Sequence, residues 1–78
     1  MVFVIIEKIK EIYNNVNEVH FKIYSLEYTI KKENERTIIY ADLYSGKKES
    51  YNNIDELLNN FTIYNETLID NESRILII

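Results

Sequence analysis

The sequence predicts an α+β fold, in which an antiparallel meander of three to five strands is packed by an N-terminal helix and a short second helix. Three observations support this prediction. Apolar residues alternate with a period near two over residues 19–51, they recur at helical spacing near the N-terminus, and a second helical stripe follows Asn53. With 78 residues and no cysteine, the chain is expected to form one small domain, residues 1–78, whose core no disulfide supports.

A helix is predicted from Val4 to Asn17. Its apolar stripe has spacings of four, three and four residues and consists of Ile5, Ile9, Ile12 and Val16, widened by Ile6 and Tyr13. Residues 1–6 alone could form a strand, because valine and isoleucine favour β structure. The continuation of the pattern as far as Val16 favours the helix, which we expect to pack across one face of the meander.

The next apolar segment, residues 19–30, changes parity along its length. Its apolar residues are first odd-numbered and then even-numbered: Val19, Phe21 and Ile23, followed by Leu26, Tyr28 and Ile30. A period of two cannot change parity without an extra residue, so we predict a bulge near Tyr24 and Ser25. The polar segment 31–36 predicts a turn in which Asn34 adopts a left-handed conformation.

A second strand is predicted over residues 37–44, with large residues on both faces. One face carries Ile39, Ala41 and Leu43, and the other carries Ile38, Tyr40, Asp42 and Tyr44. The only glycine, Gly46, predicts a turn with positive φ before a third strand over residues 48–51. Both faces need cover, which the helices or a second copy of the chain could supply. The candidate dimer or anchor contacts are therefore Ile38, Tyr40 and Tyr44.

A short second helix is predicted over residues 52–61. Asn53 followed by Glu56 forms a loose capping box, and the apolar stripe consists of Ile54, Leu57, Leu58 and Phe61. The tail, residues 62–78, alternates β-prone triplets with turn signals. We predict short strands there, with residues 75–78 pairing into the sheet, and a helix over residues 66–76 is the competing interpretation.

No catalytic, cofactor-binding or metal-binding motif occurs in the sequence. His20 is the only histidine, no motif places a nucleophile against it, and a single glycine cannot build a phosphate-binding loop. We therefore expect no enzymatic activity, no cofactor and no metal. The apolar start is too short for a signal peptide, and no apolar run approaches the roughly 20 residues of a membrane span. A cytoplasmic protein with no membrane contact is expected.

Charge is distributed unevenly along the chain. Residues 1–51 contain eight acidic and eight basic residues, whereas residues 52–78 contain five acidic residues and one basic residue, so the net charge of −4 lies in the last third. Two interpretations of the five acidic residues are open: they are turn and helix-start residues on a solvated surface, or they form a face that meets a basic protein partner. The residues of this predicted acidic face are Asp55, Glu56, Glu66, Asp70 and Glu72. Direct nucleic-acid binding through this face is disfavoured, because phosphates would be repelled.

These features predict a small non-enzymatic interaction protein. In size, charge and residue usage the chain looks like small phage-encoded inhibitors that bind a host nucleic-acid-handling protein, such as a sliding clamp or a nuclease, through an acidic, DNA-mimicking face. One alternative is a module that binds single-stranded nucleic acid through a tyrosine–lysine sheet face. That face would consist of Tyr24, Tyr28, Tyr40, Tyr44 and Tyr51 with Lys22, Lys31, Lys32, Lys47 and Lys48. Another alternative is a structural subunit of a larger complex.

Overall fold

A five-stranded antiparallel sheet and two helices form the body of the protein. The computed structural model describes residues 4–78. In chain order the elements are α1 (Val4–Val16), β1 (Glu18–Ile23), β2 (Leu26–Glu33), β3 (Arg36–Ala41), a 3₁₀ turn (Asp42–Tyr44), β4 (Glu49–Tyr51), α2 (Ile54–Asn60), β5 (Thr62–Ile63), β6 (Glu66–Thr67), a second 3₁₀ turn (Glu72–Arg74) and β7 (Leu76–Ile77). The predicted α+β fold is confirmed.

The large sheet has the strand order β4-β3-β2-β1-β7, and β5 and β6 form a separate two-stranded hairpin. Side chains on one face of the large sheet join those of the helices and the small hairpin in one core. Its fully buried members include Phe21, Ile30 and Ile39 from the sheet, with Leu57 and Leu68 from the covering elements. The other face of the sheet carries no helix within residues 4–78.

The parity change in residues 19–30 comes from a tight hairpin and not from the predicted bulge. Tyr24 and Ser25 form a two-residue turn between β1 and β2, with φ values of 51° and 65°. Such a turn pairs odd positions with even ones, so that Phe21 lies opposite Tyr28 and both rings stack at 5.3 Å on the core face. Positive φ at both central residues matches the twist of the flanking strands, which explains why this turn replaces a bulge.

The turn predicted within residues 31–36 is confirmed, and it consists of Asn34 and Glu35, with φ values of 52° and 64°. A third turn of this kind, Tyr64 and Asn65, joins β5 to β6, with φ values of 53° and 66°. Three two-residue hairpin turns are therefore formed by residues with positive φ, and none of these residues is glycine. Gly46 does not have the predicted positive φ.

The strand predicted over residues 37–44 ends at Ala41. The three residues that follow form a 3₁₀ turn, in which Leu43 is 77% exposed and does not reach the predicted inner face. A long-range contact stops the strand, because the Thr29 hydroxyl on β2 donates to the Asp42 carboxylate at 2.7 Å. The predicted third strand is confirmed as β4 over Glu49–Tyr51.

The predicted helix α1 is confirmed, but two residues that were expected at the margin of its apolar stripe, Ile6 and Tyr13, are buried at its centre together with Ile9. Ile6, Ile9 and Tyr13 are buried, whereas Val16 is 64% exposed. Asn17 lies beyond the helix with a φ of 61°, where its N–H donates to the carbonyl of Tyr13, a common helix ending. The alternative of a strand over residues 1–6 fails at residues 4–6, which are helical, and residues 1–3 lie outside the described part.

α2 and the tail follow the sequence closely. The Asn53 side chain accepts a hydrogen bond from the Glu56 N–H at 2.7 Å, as predicted for the cap. All four predicted stripe residues are buried: Ile54, Leu57, Leu58 and Phe61. In the tail the predicted strands are present and β7 pairs with β1, so the competing helix over residues 66–76 is wrong.

Candidate interaction surfaces

Three of the five acidic residues proposed as a binding face have structural partners. The Asp55 carboxylate contacts the Lys10 ammonium of α1 at 3.0 Å, and this hydrogen bond, supported by Glu7, raises the pKa of Lys10. Glu56 accepts a hydrogen bond from the Asn52 side chain at 3.0 Å. The first contact joins α2 to α1, and the second is a local contact at the start of α2, so both carboxylates already have partners within the fold.

Glu72 has the most specific structural contact. Its Oε2 atom accepts a hydrogen bond at 3.0 Å from the backbone N–H of Ile6 in the first turn of α1, although the two residues are 66 positions apart. N–H groups at the start of a helix lack partners within the helix, and the helix dipole favours a negative charge there. Glu72 therefore caps α1 and joins the tail to the N-terminal helix.

The carboxylates of Glu66 and Asp70 differ from the other three. Both residues are exposed, and within residues 4–78 neither carboxylate makes a hydrogen bond or an ion pair. Only backbone groups of these residues have partners: the Asp70 N–H donates to the Thr67 hydroxyl, and the Glu66 carbonyl accepts from Asn71. Of the predicted acidic face, Glu66 and Asp70 are the carboxylates available to another molecule.

The charge asymmetry of the sequence corresponds to a difference in net charge between two groups of structural elements. The covering layer is defined here as α1 together with α2 and the tail. α1 carries two acidic and two basic residues, and residues 52–78 carry five acidic residues and one basic residue, so this layer holds the whole net charge of −4. Residues 17–51, which form strands β1 to β4, carry six of each sign. A neutral sheet is thus covered by an acidic layer.

The three proposed dimer or anchor residues do not form one apolar patch. Ile38 is only 8% exposed, and Tyr40 beside it is half-buried, with the ammonium groups of Lys31 and Lys48 each 5.7 Å from its ring centre. Long lysine side chains can cover apolar surface while their charges stay in water. Tyr44 is 58% exposed and lies in the 3₁₀ turn after β3.

The total exposed surface is that of a compact single chain. The accessible area is 5019 Å², close to the roughly 5,000 Å² expected for a folded monomer of 9.4 kDa. On β3 itself, Ile39 on the core face is fully buried and Ile38 on the opposite face is only 8% exposed.

The tyrosines of the proposed nucleic-acid platform do not share a face. Directly paired residues on neighbouring strands share a face of the sheet, and Tyr28 pairs with Ala41 while Tyr51 pairs with Thr37, so both tyrosines lie on the core side. Tyr40 lies on the opposite side, because side chains alternate along β3. Burial raises the pKa of the Tyr28 hydroxyl. The remaining two rings of the set, those of Tyr24 and Tyr44, belong to turns. Only Tyr40 combines an outward ring with neighbouring lysines.

His20 takes part in a hydrogen-bonded chain on the open face of the sheet. Its Nε2 atom lies 2.6 Å from Glu18 Oε2, and its Nδ1 atom lies 3.0 Å from the Thr29 hydroxyl, which donates to Asp42. The Thr29 proton is already given to a carboxylate, and the residue is 3% exposed, so this hydroxyl is not arranged as a nucleophile. The chain connects β1, β2 and the 3₁₀ turn. Across residues 4–78, no group of three potential metal-ligating side chains comes together.

The sequence did not predict an exposed pair of tyrosines at the tips of two hairpins. Tyr24 and Tyr64 contact each other edge to face, with ring centres 4.9 Å apart and planes at 78°. Tyr24 is 40% exposed and Tyr64 is 75% exposed. We call this feature the tyrosine pair. Recognising Tyr-Ser and Tyr-Asn as two-residue hairpin turns would have placed both rings at turn tips, but not next to each other.

Arg74 and Asn71 complete the surroundings of the tyrosine pair. Arg74 belongs to the second 3₁₀ turn, and its guanidinium lies 6.0 Å from the ring centre of Tyr24. The Tyr24 hydroxyl donates to the side-chain oxygen of the fully buried Asn71 at 3.0 Å. Tyr24 is thus fixed by three contacts, whereas Tyr64 is held by its ring contact at an exposed turn.

No protein-family model, curated protein or solved structure matches the chain. No helix within residues 4–78 has the length and apolar character needed to cross a membrane. The fold and the surface define a small α+β protein with an acidic covering layer.

Proposed function

We propose that the protein is a non-enzymatic interaction protein that binds a basic protein partner through its covering layer. The observation that supports this most directly is the location of the net charge: the layer holds all of it, while the sheet is neutral. An uneven distribution of charge speeds the association of an oppositely charged partner and can orient it. Glu66 and Asp70 are the carboxylates that would meet the partner, because no intramolecular contact occupies them within residues 4–78.

Proteins that handle DNA or RNA are one class of partner with the required chemistry, since they present basic surfaces to phosphates. An acidic protein bound to such a surface would block it, so the expected consequence of binding is inhibition. Asp55, Glu56 and Glu72 contribute to the long-range field in this proposal, but their side chains are engaged in holding the layer together.

The test is affinity capture from a nuclease-treated bacterial lysate with two matched variants. Glu66→Lys with Asp70→Lys reverses the charge of the two available carboxylates. Glu27→Lys in β2 with Glu35→Lys in the β2–β3 turn makes the same charge change at exposed positions outside the covering layer, and we call it the sheet variant. We expect a partner that is captured by the wild type and by the sheet variant, and lost with the first variant. Its capture should weaken as salt rises from about 50 to 300 mM, because ions screen exposed charges. Equal capture by both variants would contradict the proposal.

One observation supports the alternative function, binding of single-stranded nucleic acid. The ammonium groups of Lys31 and Lys48 both lie close to the ring of Tyr40 on the sheet, outside the covering layer. A fluorescence titration with single-stranded DNA and RNA separates the two functions. Tight binding that Tyr40→Ala abolishes would favour the nucleic-acid module. The absence of binding, together with salt-sensitive capture of a protein, would favour the acidic layer.

A further inference from the structure

The tyrosine pair stands at the edge of the acidic covering layer. Tyr64 directly precedes Asn65 and Glu66 in the β5–β6 hairpin, and Asp70 follows within the same short segment. The exposed ring therefore belongs to the part of the chain that also carries the two available carboxylates. Within residues 62–78 the acids Glu66, Asp70 and Glu72 outnumber the single base, Arg74.

Both tyrosines occupy an unusual backbone conformation. Their φ values, 51° for Tyr24 and 53° for Tyr64, lie in the left-handed region, which bulky side chains rarely adopt. The turns hold the two rings at the tips of hairpins from two different sheets, where they meet. Most of the Tyr64 side chain is open to solvent despite this contact, because the residue is 75% exposed.

The molecule itself shows what this aromatic surface accepts. The guanidinium of Arg74 lies over Tyr24 at 6.0 Å, within the range of a cation–π contact. Arginine suits such a site better than lysine, because its planar guanidinium stacks on a ring and is weakly hydrated. Tyr64 presents the same chemistry without a cation of the described chain over it.

We infer that Tyr64, with Glu66 and Asp70, is a binding site for an arginine side chain of the basic partner. The guanidinium would stack on the exposed ring of Tyr64, and its positive charge would be attracted by the carboxylates of Glu66 and Asp70 on the same segment of the chain. This inference rests on the proposed function and names the group that the covering layer recognises. The negative charge of the segment and the aromatic face together select an arginine-bearing segment over an apolar one.

Two synthetic peptides of equal length and charge test the inference directly. One alternates glycine with arginine and the other alternates glycine with lysine, and both carry the same fluorophore for anisotropy at low salt. The wild type is expected to bind the arginine peptide more tightly, by up to about two- to fivefold, because an exposed cation–π contact as a whole contributes no more than that and lysine gains only part of it. This comparison needs no variant, so it does not depend on any substitution being tolerated.

The variants identify the residues responsible for the preference. Tyr64→Leu should remove the preference for arginine, and Tyr64→Phe, which keeps the ring, should retain it. Tyr44→Leu is the matched control, because Tyr44 is also exposed but lies in a different turn. Glu66→Lys with Asp70→Lys should weaken both peptides together. Circular dichroism and thermal melting of each variant report whether it is folded.

The possible results separate the inference from the proposed function. If charge reversal weakens both peptides but the wild type does not prefer arginine, the arginine site is refuted and the acidic layer stands. A preference that survives Tyr64→Leu refutes the site in the same way. If charge reversal at Glu66 and Asp70 leaves the binding of both peptides unchanged, the proposed function itself is contradicted.

Discussion

Replacing Glu72 by alanine tests whether this acid is a structural cap. The substitution removes the hydrogen bond from Ile6 N–H to Glu72 Oε2, 3.0 Å long, and a negative charge at the start of α1. Loss of a helix cap costs about 1 kcal/mol, and the charge at the helix N-terminus contributes a further 0.3–1 kcal/mol, roughly. We therefore expect the free energy of unfolding to fall by about 1.5 kcal/mol. For a chain of this size that corresponds to a decrease in Tm of roughly 6–12 °C.

Urea unfolding of three variants measures this effect. Glu72→Gln keeps an oxygen acceptor but loses the charge, so its loss of stability should be about half that of Glu72→Ala. Glu66→Ala is the control, an acid of the same segment whose carboxylate has no partner within residues 4–78, and it should change stability by less than about 0.5 kcal/mol. Equal stabilities of Glu72→Ala and Glu66→Ala would refute the capping role.

Three further predictions follow from buried or exposed side chains. Asn71→Ala should lower the free energy of unfolding, measured in urea, by about 2–4 kcal/mol. The reason is that this fully buried side chain donates hydrogen bonds to two backbone carbonyls and accepts one from Tyr24. A decrease of less than about 1 kcal/mol would contradict this reasoning. Burial, assisted by a hydrogen bond to Glu49, raises the pKa of Tyr51 to about 12. The Tyr51 hydroxyl loses its proton near pH 10 in the unfolded chain but only near pH 12 in the folded chain, so the free energy of unfolding should fall as pH rises from 10 to 12. Tyr51→Phe should reduce that fall. Identical curves of stability against pH for the wild type and the variant would refute the prediction. Leu43→Ser should leave stability within about 0.5 kcal/mol, whereas Leu57→Ala should cost about 2–5 kcal/mol, as thermal melts of both variants would show.

The sequence predicted those parts of the fold that depend on neighbours along the chain. The α2 cap at Asn53 and its buried stripe need only local spacing, and both are present as predicted. The parity change near Tyr24 was also detected, but two local structures explain it. A bulge and a two-residue turn both shift the apolar positions by one, and only the pairing of β1 with β2 distinguishes them.

Contacts between distant residues account for what the sequence did not show. The alternation of residues 37–44 continues through Leu43, yet the hydrogen bond from Thr29 to Asp42 turns the chain into a 3₁₀ turn. Glu72 reads as an ordinary acid at a turn, and its capping contact with Ile6 spans 66 positions. The tyrosine pair was missed for the same reason, since its two rings come from different hairpins.

The two members of the tyrosine pair differ in how many contacts offset the strain of their left-handed backbone conformation. A left-handed conformation costs a residue with a side chain roughly 1–2 kcal/mol. Tyr24 offsets this cost with a hydrogen bond to Asn71, a cation–π contact with Arg74 and the contact with Tyr64. Among the hydrogen bonds and aromatic contacts of residues 4–78, Tyr64 takes part in the ring contact alone, which is worth about 0.5–1.5 kcal/mol, and it remains 75% exposed. Because asparagine or glycine would adopt this turn with less strain, the contacts seen within residues 4–78 do not explain a tyrosine at position 64, and the arginine site that we propose would explain it.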